Sequence, residues 1–450
     1  MNWLELAEKK REEFIKVTTE LLQIPTVLEK FDPENKEMPF GKDIRQALDM
    51  MLEIGKQDGF ITKNVDNYAG HIEYGNGEEV LGILGHLDVV PTGGKWINPP
   101  FSAVERDGKI YARGAMDDKG PTVAAYLALK MVKEQGIELN KKVRVILGCD
   151  EETGMRGLKH YLTKEKMPDI GFAPDAEFPL IYAEKGIYMY DFIGEAENQL
   201  ITSMNAGDRY NIVPDVCEVT LTKDLRKEFN KYLDDFNYSG EIHNNKYTIY
   251  GKNAHAAMPD LGLNAISLMV EFLKNHTDAF FIHFIDEFLT FDNYGKKLGI
   301  DCSDKEMKDL TNNLAFISYD GQNIRIKMNI RYPRNYDFEA GEVKLTKAGA
   351  KYNLEYKCIE NKGPHYVSPD DELVKSLHSA YVKYTGDTEN EIFTIGGGTY
   401  ARVLTKAVAF GALFPGEEEL AHQPNEYLII DQMIKAIAIY AESIVLLAGK

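Results

Sequence analysis

Two apolar runs in the first third of the chain, the second interrupted only by Arg144, each lead directly into polar residues. One occupies residues 81–85 and precedes His86, and the other occupies residues 143–149 and precedes Asp150. Short apolar runs of this kind predict buried strands of an α/β sheet. Open α/β sheets hold their active sites beyond the carboxyl ends of their strands. We therefore expect functional side chains immediately after both runs.

Segments with helical periodicity lie before and between these two predicted strands. Apolar residues recur at helical spacing over 43–57, and a second helix is predicted over 120–134, with Pro121 in its first turn. The alternation of strand and helix continues to about residue 185. It predicts an α/β layer with a central, largely parallel sheet and flanking helices.

From residue 186 the pattern changes to short strands that alternate with helices. The predicted strands are 186–194, 217–222, 247–250 and 324–332, and the predicted helices are 264–276 and 304–313. The first pattern returns at about residue 368, with predicted helices over 372–384 and 431–447 and a strand over 408–413. We therefore predict a discontinuous α/β domain, residues 1–185 and 368–450, interrupted by a large inserted α+β domain, residues 186–367.

Composition narrows the class of protein. Hydrophobic residues make up 44% and charged residues 27% of the 450 residues, which is typical of a globular protein large enough for two domains. The net charge of -19 provides no basic surface for nucleic acid. No apolar segment is long enough to cross a membrane, and the amino terminus lacks the apolar core of a signal peptide. The four cysteines are widely spaced, which predicts reduced thiols in a cytoplasmic protein.

Three polar clusters carry the candidate chemistry: His-Leu-Asp at 86–88, Asp-Asp-Lys at 117–119 and Asp-Glu-Glu at 150–152. Each cluster alone is weak evidence for a functional site, since such groups are usually surface pairs, helix caps or solvated charge runs. Together, one histidine and several carboxylates at strand ends suit divalent metal ions. Asp88 is spaced to accept the second ring N–H of a ligand His86. Of the adjacent Glu151 and Glu152, one can bind metal while the other acts as a base.

Five ordered motifs make a resemblance specific. They are Gly-His-Leu-Asp-Val-Val-Pro at 85–91, Gly-Ala-Met-Asp-Asp-Lys-Gly at 114–120, Asp-Glu-Glu-Thr-Gly at 150–154, Pro-Asp-Ala-Glu-Phe-Pro at 174–179 and His-Gln-Pro-Asn-Glu at 422–426. In this order they resemble the dinuclear zinc peptidase family that includes aminoacylase, glutamate carboxypeptidase and succinyl-diaminopimelate desuccinylase. The fourth motif and the long insertion look most like the peptidase V dipeptidase branch. The resemblance extends over essentially the whole chain.

The resemblance implies two divalent metal ions, zinc first and manganese as an alternative, in the discontinuous domain, which would be catalytic. The implied metal ligands are His86, Asp117, Glu152, Asp175 and His422. Asp117 would bridge the metals, with His86 and Asp175 on one and Glu152 and His422 on the other. Glu151 would be the general base and Asp88 the orienting carboxylate. The bond between Asp117 and Asp118 would be a cis peptide.

The inserted domain would act as a lid. His255 matches the histidine that polarises the scissile carbonyl, while Asn211 and Arg331 lie in segments that match substrate contacts. Gly397, Gly398 and Thr399 belong to a glycine loop that would let substrate approach backbone N–H groups. This loop lacks the Lys-Ser/Thr of a P-loop, which excludes nucleotide binding there.

The expected function is hydrolysis of dipeptides by a water that two metals activate, with Glu151 as base. An N-acyl amino acid or succinyl-diaminopimelate is the alternative substrate, because both reactions break an amide. A catalytically inactive metal-binding or scaffold protein is disfavoured, because the base and all the ligands are present. The partner is a small peptide substrate. The insertion is longer than one dimerisation domain requires, so the resemblance implies a monomer.

Overall fold

Helices and strands alternate through the first part of the chain, as the hydrophobic pattern predicts. A computed structural model describes residues 1–450. Its first helices are α1 (Trp3–Glu8), α2 (Arg11–Leu22), α3 (Lys42–Gln57), α4 (Gly120–Glu134) and α5 (Arg156–Lys164). Its first strands are β1 (Ile61–Val65), β2 (Ala69–Tyr74), β3 (Val80–His86), β4 (Val104–Arg106), β5 (Lys109–Tyr111), β6 (Lys142–Gly148), β7 (Ile170–Ala173), β8 (Ala176–Glu177) and β9 (Ile181–Glu184).

The middle of the chain contains longer strands and fewer helices. Its strands are β10 (Gly186–Glu195), β11 (Ile201–Ala206), β12 (Val216–Leu221), β13 (Ser239–His243), β14 (Lys246–Tyr250), β15 (Ser303–Asp304), β16 (Lys308–Asp309), β17 (Thr311–Tyr319), β18 (Asn323–Tyr332) and β19 (Glu355–Lys362). Its helices are α6 (Arg226–Phe236), α7 (Ala265–Leu273), α8 (Phe280–Phe288) and α9 (Phe338–Lys351).

The last part of the chain returns to the first pattern. It contains helices α10 (Glu372–Thr385) and α11 (Ile430–Ala448), and strands β20 (His365–Tyr366), β21 (Phe393–Ile395), β22 (Ala407–Ala409), β23 (Ala412–Leu413) and β24 (Tyr427–Ile429). The single strand predicted over 408–413 is thus two short ones. Between them Gly411 has a φ of 78°, in the left-handed region that favours glycine.

The chain divides into two compact units, each with its own hydrophobic core. The first unit comprises Met1–Tyr182, Tyr366–Phe393 and Thr399–Lys450, and the second comprises Ala183–His365 and Thr394–Gly398. Residues 394–398, which the pattern assigns to the second catalytic segment, therefore belong to the second unit. Their main-chain oxygens explain this placement, since Ile395 accepts from the N–H of Lys185 and Gly396 accepts from Arg331.

A mixed sheet forms the centre of the first unit, in the order β1-β2-β6-β3-β7-β22. The pairs β6–β3, β3–β7 and β7–β22 are parallel, whereas β1–β2 and β2–β6 are antiparallel. The predicted largely parallel sheet is correct for the centre, and antiparallel strands extend it at the edge. Helices α4 and α11 are buried along most of their length, which matches their apolar sequences.

Parallel pairing brings the predicted functional segments to one edge of this sheet. His86, the last residue of β3, pairs with Gly148, the last residue of β6. On its other side β3 pairs with β7, which ends two residues before Asp175. Since the carboxyl ends of parallel strands meet, the segments after β3, β6 and β7 become neighbours.

The second unit contains an antiparallel sheet of eight strands in the order β13-β14-β12-β11-β17-β18-β10-β19. The prediction of a helix over 304–313 is wrong, because β15, β16 and the start of β17 occupy these residues. The side chain of Asp304 accepts hydrogen bonds from the N–H groups of Glu306 and Met307, at 3.0 and 2.5 Å. An aspartate that bonds to the backbone two and three residues ahead stabilises a turn in competition with a helix.

None of the helices combines the length and the apolar character that spanning a bilayer requires.

Candidate metal centre and catalytic site

Asp117 lies between two histidines that come from distant parts of the chain. Its Oδ1 is 3.1 Å from Nε2 of His86, and its Oδ2 is 3.0 Å from Nε2 of His422. The same nitrogen of His422 lies 3.0 Å from Oε2 of Glu152. Asp117 follows the left-handed Gly114 in the turn Ala115–Lys119, and its peptide bond to Asp118 is cis. Each oxygen of Asp117 therefore faces its own histidine.

The second side of the cluster is formed by His86, Glu151 and Asp175. Nε2 of His86 is 3.5 Å from Oδ2 of Asp175. A carboxylate oxygen of Glu151 completes this group of three potential metal ligands. A second group of potential metal ligands consists of His86, Asp117 and Glu152. In each group the ligand atoms lie within 4.8 Å of one another, so either could hold a metal ion. The sequence-predicted ligands and the predicted base are thus all brought together in the first unit.

Burial among like charges controls the protonation of this cluster. Desolvation and the neighbouring Asp117 raise the pKa of Glu152 to about 7, and desolvation with nearby carboxylates raises the pKa of Glu151 well above its usual value. Hydrogen bonds to Asp117 and Glu152 raise the pKa of His422 to about 10. Burial acts against the ionised form of Asp117, but hydrogen bonds from His422 and His86 lower its pKa. Without metal, the site therefore retains protons at neutral pH.

Asp88 makes different contacts from those its spacing predicts. Nδ1 of His86 lies 3.0 Å from the main-chain oxygen of Asp88 and 3.6 Å from its nearest carboxylate oxygen. The carboxylate instead accepts hydrogen bonds from the N–H groups of Glu151 and Glu152, at 3.0 and 3.1 Å. Asp88 therefore orients His86 through its main chain and holds the Glu151–Glu152 segment through its side chain.

The donor set fits a pair of divalent cations. The site combines two imidazoles with four carboxylates, those of Asp117, Glu151, Glu152 and Asp175. No lysine or arginine side chain makes an ion pair with any of these four carboxylates. Oε1 of Glu152 is buried and has no hydrogen-bond partner. A buried carboxylate oxygen without a donor is costly unless a cation approaches it. Oxygen and imidazole donors without thiolate suit zinc or manganese.

Several residues at the site were assigned no role from sequence. Arg113 and Glu426 form a buried ion pair of 2.7 Å beside the cluster, and Tyr400 stacks edge-on to His86 with ring centroids 6.1 Å apart. Asp118 accepts hydrogen bonds from the N–H of His86 and from Thr122, at 3.1 and 2.9 Å. All four lie inside or beside the matched motifs, so their positions were the only signal that the sequence offered.

The second unit brings three other predicted residues together. The N–H of Ala256 donates to the main-chain oxygen of Asn211 at 2.9 Å, which joins the Asn211 and His255 segments. Nε of Arg331 donates to Oδ1 of Asn329 at 2.8 Å, and its Nη1 donates to the main-chain oxygen of Gly396 at 3.0 Å. Partial burial and the positive charge of Arg331 lower the pKa of His255, which favours the neutral imidazole.

The glycine loop is divided between the two units. Gly397 and Gly398 belong to the second unit, and Thr399 begins a segment of the first. A side chain at Gly396 would meet Cβ of Ala257 at 2.7 Å, whereas one at Gly397 would meet nothing closer than 3.7 Å. Oγ1 of Thr399 accepts from the N–H of Ala401 at 3.2 Å and so caps the short helical turn Tyr400–Val403. Glycine is thus sterically required at 396 rather than at 397.

Solved structures with the same fold include two dipeptidases. Human carnosine dipeptidase 1 matches with a TM-score of 0.63 at 15% identity, covering 99% of this chain and 98% of that one. The dipeptidase Dug1p of Saccharomyces cerevisiae matches with a TM-score of 0.57 at 15% identity, covering 98% of each chain. At this level of identity the likeness establishes the fold.

Sequence relatives are closer. The Bacillus subtilis protein named "Putative dipeptidase YtjP" is 40% identical over 469 aligned positions, covering 100% of both chains. A Staphylococcus haemolyticus protein with the same type of name is 39% identical over 98% of both chains. The model of peptidase family M20/M25/M40 matches residues 82–445, which include all five motifs. The chain therefore belongs to peptidase family M20/M25/M40.

Proposed function

We propose that the protein is a metal-dependent dipeptidase with two metal ions in the first unit. The observation that carries the proposal is the position of Asp117, whose two oxygens each face a different histidine, His86 and His422. Full-length relatives with dipeptidase names support the reaction class. Four free cysteines are consistent with a reducing compartment, and we place the enzyme in the cytoplasm.

Asp117 would be shared between the metals, with His86 and Asp175 on one and Glu152 and His422 on the other. Divalent ions in such a site polarise a carbonyl and acidify water. We assign zinc as the metal, with manganese as the alternative, because carboxylate and imidazole ligands accept both.

Glu151 is the general base in this proposal. It takes a proton from the attacking water and delivers that proton to the leaving amine, so one residue serves as base and then as acid. Burial of Glu151, the largest cause of its raised pKa, suits both steps, because it helps the carboxylate to accept a proton and to hold it until the amine leaves. Asp88 fixes the backbone of Glu151 and thereby the direction of its carboxylate.

We assign substrate recognition to the second unit and the glycine loop. A dipeptide presents a free carboxylate one residue beyond the scissile bond, and an arginine fork such as Arg331 can hold both of its oxygens. His255 would donate to the oxygen of the scissile carbonyl. Asn211 and the loop Gly397–Gly398–Thr399 would contact the substrate backbone.

Metal removal should abolish activity, and added Zn²⁺ or Mn²⁺ should restore it. The apparent Zn²⁺ affinity should increase as pH rises from 6 to 8, because metal must displace the protons that the raised pKa values of Glu152 and His422 retain. Each proton released contributes up to about tenfold per pH unit. Equilibrium dialysis at several pH values measures this. Activity in protein shown by elemental analysis to be metal-free would refute the proposal.

Glu151→Gln should retain both metals and lose turnover by at least about 10²–10⁴-fold, because it removes proton transfer and leaves the ligands in place. Asp117→Asn should lose metal together with activity. Metal content and kcat are measured on the same preparations. If Glu151→Gln released metal while Asp117→Asn retained it, Glu151 would be a ligand and the assigned roles would be wrong.

Arg331→Met and His255→Asn should act on different kinetic constants. Loss of Arg331 should raise KM for a dipeptide about 10–100-fold, with little change for the C-terminally amidated analogue. Loss of His255 should lower kcat about 10²–10³-fold on both substrates, since its hydrogen bond strengthens as charge develops on the carbonyl oxygen. Equal cleavage of dipeptide and amide by wild type, with equal losses in Arg331→Met, would contradict a carboxylate receptor.

The free protein should sediment as a monomer. The edge strands of the second sheet, β13 and β19, are largely exposed and carry Glu241, Glu355, Lys357, Glu360 and Lys362. Charged edge strands resist edge-to-edge pairing between copies. Sedimentation equilibrium across a concentration series measures the mass, and a stable dimer that dissociates when an edge strand is altered would contradict this expectation.

A further inference from the structure

We propose that Arg113 and Glu426 form a reciprocal clamp that positions Asp117 and His422 and thereby tunes one of the two metal positions, the one with Glu152 and His422. The inference rests on the proposed dinuclear site. Neither residue reaches the reacting atoms in this proposal, so both are positioning residues.

Glu426, on the His422 segment, binds the backbone of the Asp117 segment. Its Oε1 accepts from the N–H groups of Met116 and Asp117, at 2.8 and 3.2 Å. Its Oε2 accepts from the N–H of Gly114 at 3.1 Å. One carboxylate thus fixes three amides in the turn that carries the shared ligand.

Arg113, on the Asp117 segment, binds the backbone of the His422 segment in return. Its Nη2 donates to the main-chain oxygen of His422 at 3.2 Å, and its Nη1 donates to that of Gln423 at 3.2 Å. Nη1 also contacts Oε2 of Glu426 at 2.7 Å, which closes the clamp. The guanidinium lies 5.3 Å from the centre of the Trp96 ring, which covers it.

His422 needs such support because, apart from the contacts of its Nε2 with Asp117 and Glu152, its side chain is largely exposed. Its side chain is 54% exposed, and its backbone φ of 65° lies in the left-handed region, which a residue with a side chain adopts only when its surroundings favour it. The side chains of Arg113 and Glu426 are only 1% and 0% exposed. A buried ion pair adds little net stability over apolar packing, so its contacts to two ligand-bearing segments are better explained by positioning.

A small sheet brings the clamp together although its two residues are 313 positions apart. In the order β24-β5-β4, Tyr427 pairs with Tyr111 and Leu428 with Ile110. One step beyond this ladder, the N–H of Ala112 donates to the main-chain oxygen of Glu426 at 3.1 Å. The ladder therefore sets the register that places Glu426 opposite Arg113.

The clamp acts mainly on one half of the site, because it holds two ligands of one metal and only the shared ligand of the other. It binds the segments of the shared ligand Asp117 and of His422, and it touches the His86 motif only through Nη2 of Arg113, which donates to the main-chain oxygen of Pro91 at 3.5 Å. His86 and Asp175 themselves lie at the ends of β3 and β7. Weakening the clamp should therefore affect the two metals unequally. The metal at Glu152 and His422 should lose affinity, and the metal at His86 and Asp175 should retain most of it.

Co²⁺ titration of metal-free protein, followed by visible absorption, tests this. Wild type should bind two equivalents. Glu426→Gln, which keeps the shape but can offer only one oxygen to the amides, should bind the first equivalent normally and the second about 10–100-fold more weakly. Arg113→Lys should show a smaller loss, since it keeps the charge without the fork.

Glu73→Gln is the matched control. Glu73 belongs to another buried arginine pair of this unit, with Oε2 2.6 Å from Nε of Arg144 and side chains 8% and 10% exposed. Glu73→Gln should lower the Tm as Glu426→Gln does, yet leave both Co²⁺ affinities unchanged.

Selective loss of the second equivalent supports the clamp. Wild-type affinities in Glu426→Gln, or an equal loss of both equivalents, would overturn it, because the pair would then be only structural. If Glu426→Gln does not fold, Arg113→Lys decides by the same criterion. If the wild type binds only one equivalent of Co²⁺, the dinuclear site is refuted. The clamp is refuted as well if Glu426→Gln binds that single ion with normal affinity. A wild type that binds none would overturn both.

Discussion

Repulsion among four partly buried carboxylates is the constraint on which the site depends. Asp117, Glu151, Glu152 and Asp175 share a small volume, and each would repel the others if ionised without a cation. A folded chain tolerates this arrangement only if the backbone that carries it is held firmly. The surrounding hydrogen bonds meet this need, because most of them bind main-chain atoms of the ligand segments rather than the ligand side chains.

The acidic segment after β6, residues 150–152, is likewise held by hydrogen bonds to its main chain and to the side chain of Asp150. Asp88 accepts from the N–H groups of Glu151 and Glu152, while the side chain of Asp150 accepts from Nε and Nη2 of Arg156 at 2.6 and 2.8 Å. These contacts fix the segment without using the two glutamate carboxylates. Both carboxylates therefore remain available for metal and water.

Sequence patterns predicted the parts of this structure that depend on local periodicity. Helix α4 has the predicted bounds, and β3 and β6 begin and end within one residue of the apolar runs that indicated them. The approach of His86 to the Glu151–Glu152 segment was also predictable, because parallel pairing of those strands brings their ends together. Asp117, Asp175 and His422 were indicated instead by the family resemblance. The antiparallel edge strands and the turn at Asp304 were not predictable in this way, since they depend on side-chain hydrogen bonds and on partners far along the chain.

The hydrogen-bond roles of Asp88, Arg113 and Glu426 were out of reach for a related reason. Apart from the ion pair between Arg113 and Glu426, their hydrogen-bond partners are main-chain atoms, which carry no residue-specific signal in a sequence. Asp88 and Glu426 lie within the motifs and Arg113 directly precedes one, but the motifs could not indicate what each residue touches.

The assignment of residues 394–398 to the second unit has a consequence for how the two units can be separated. The polypeptide changes unit at four places rather than two, so the insertion is not a cassette that one excision could remove. Deletion of 183–365 would leave Ile395 and Gly396 in place but remove Lys185 and Arg331, the donors that bind their main-chain oxygens. Any shortened relative or engineered single-unit form must therefore rebuild this loop as well as close the gap.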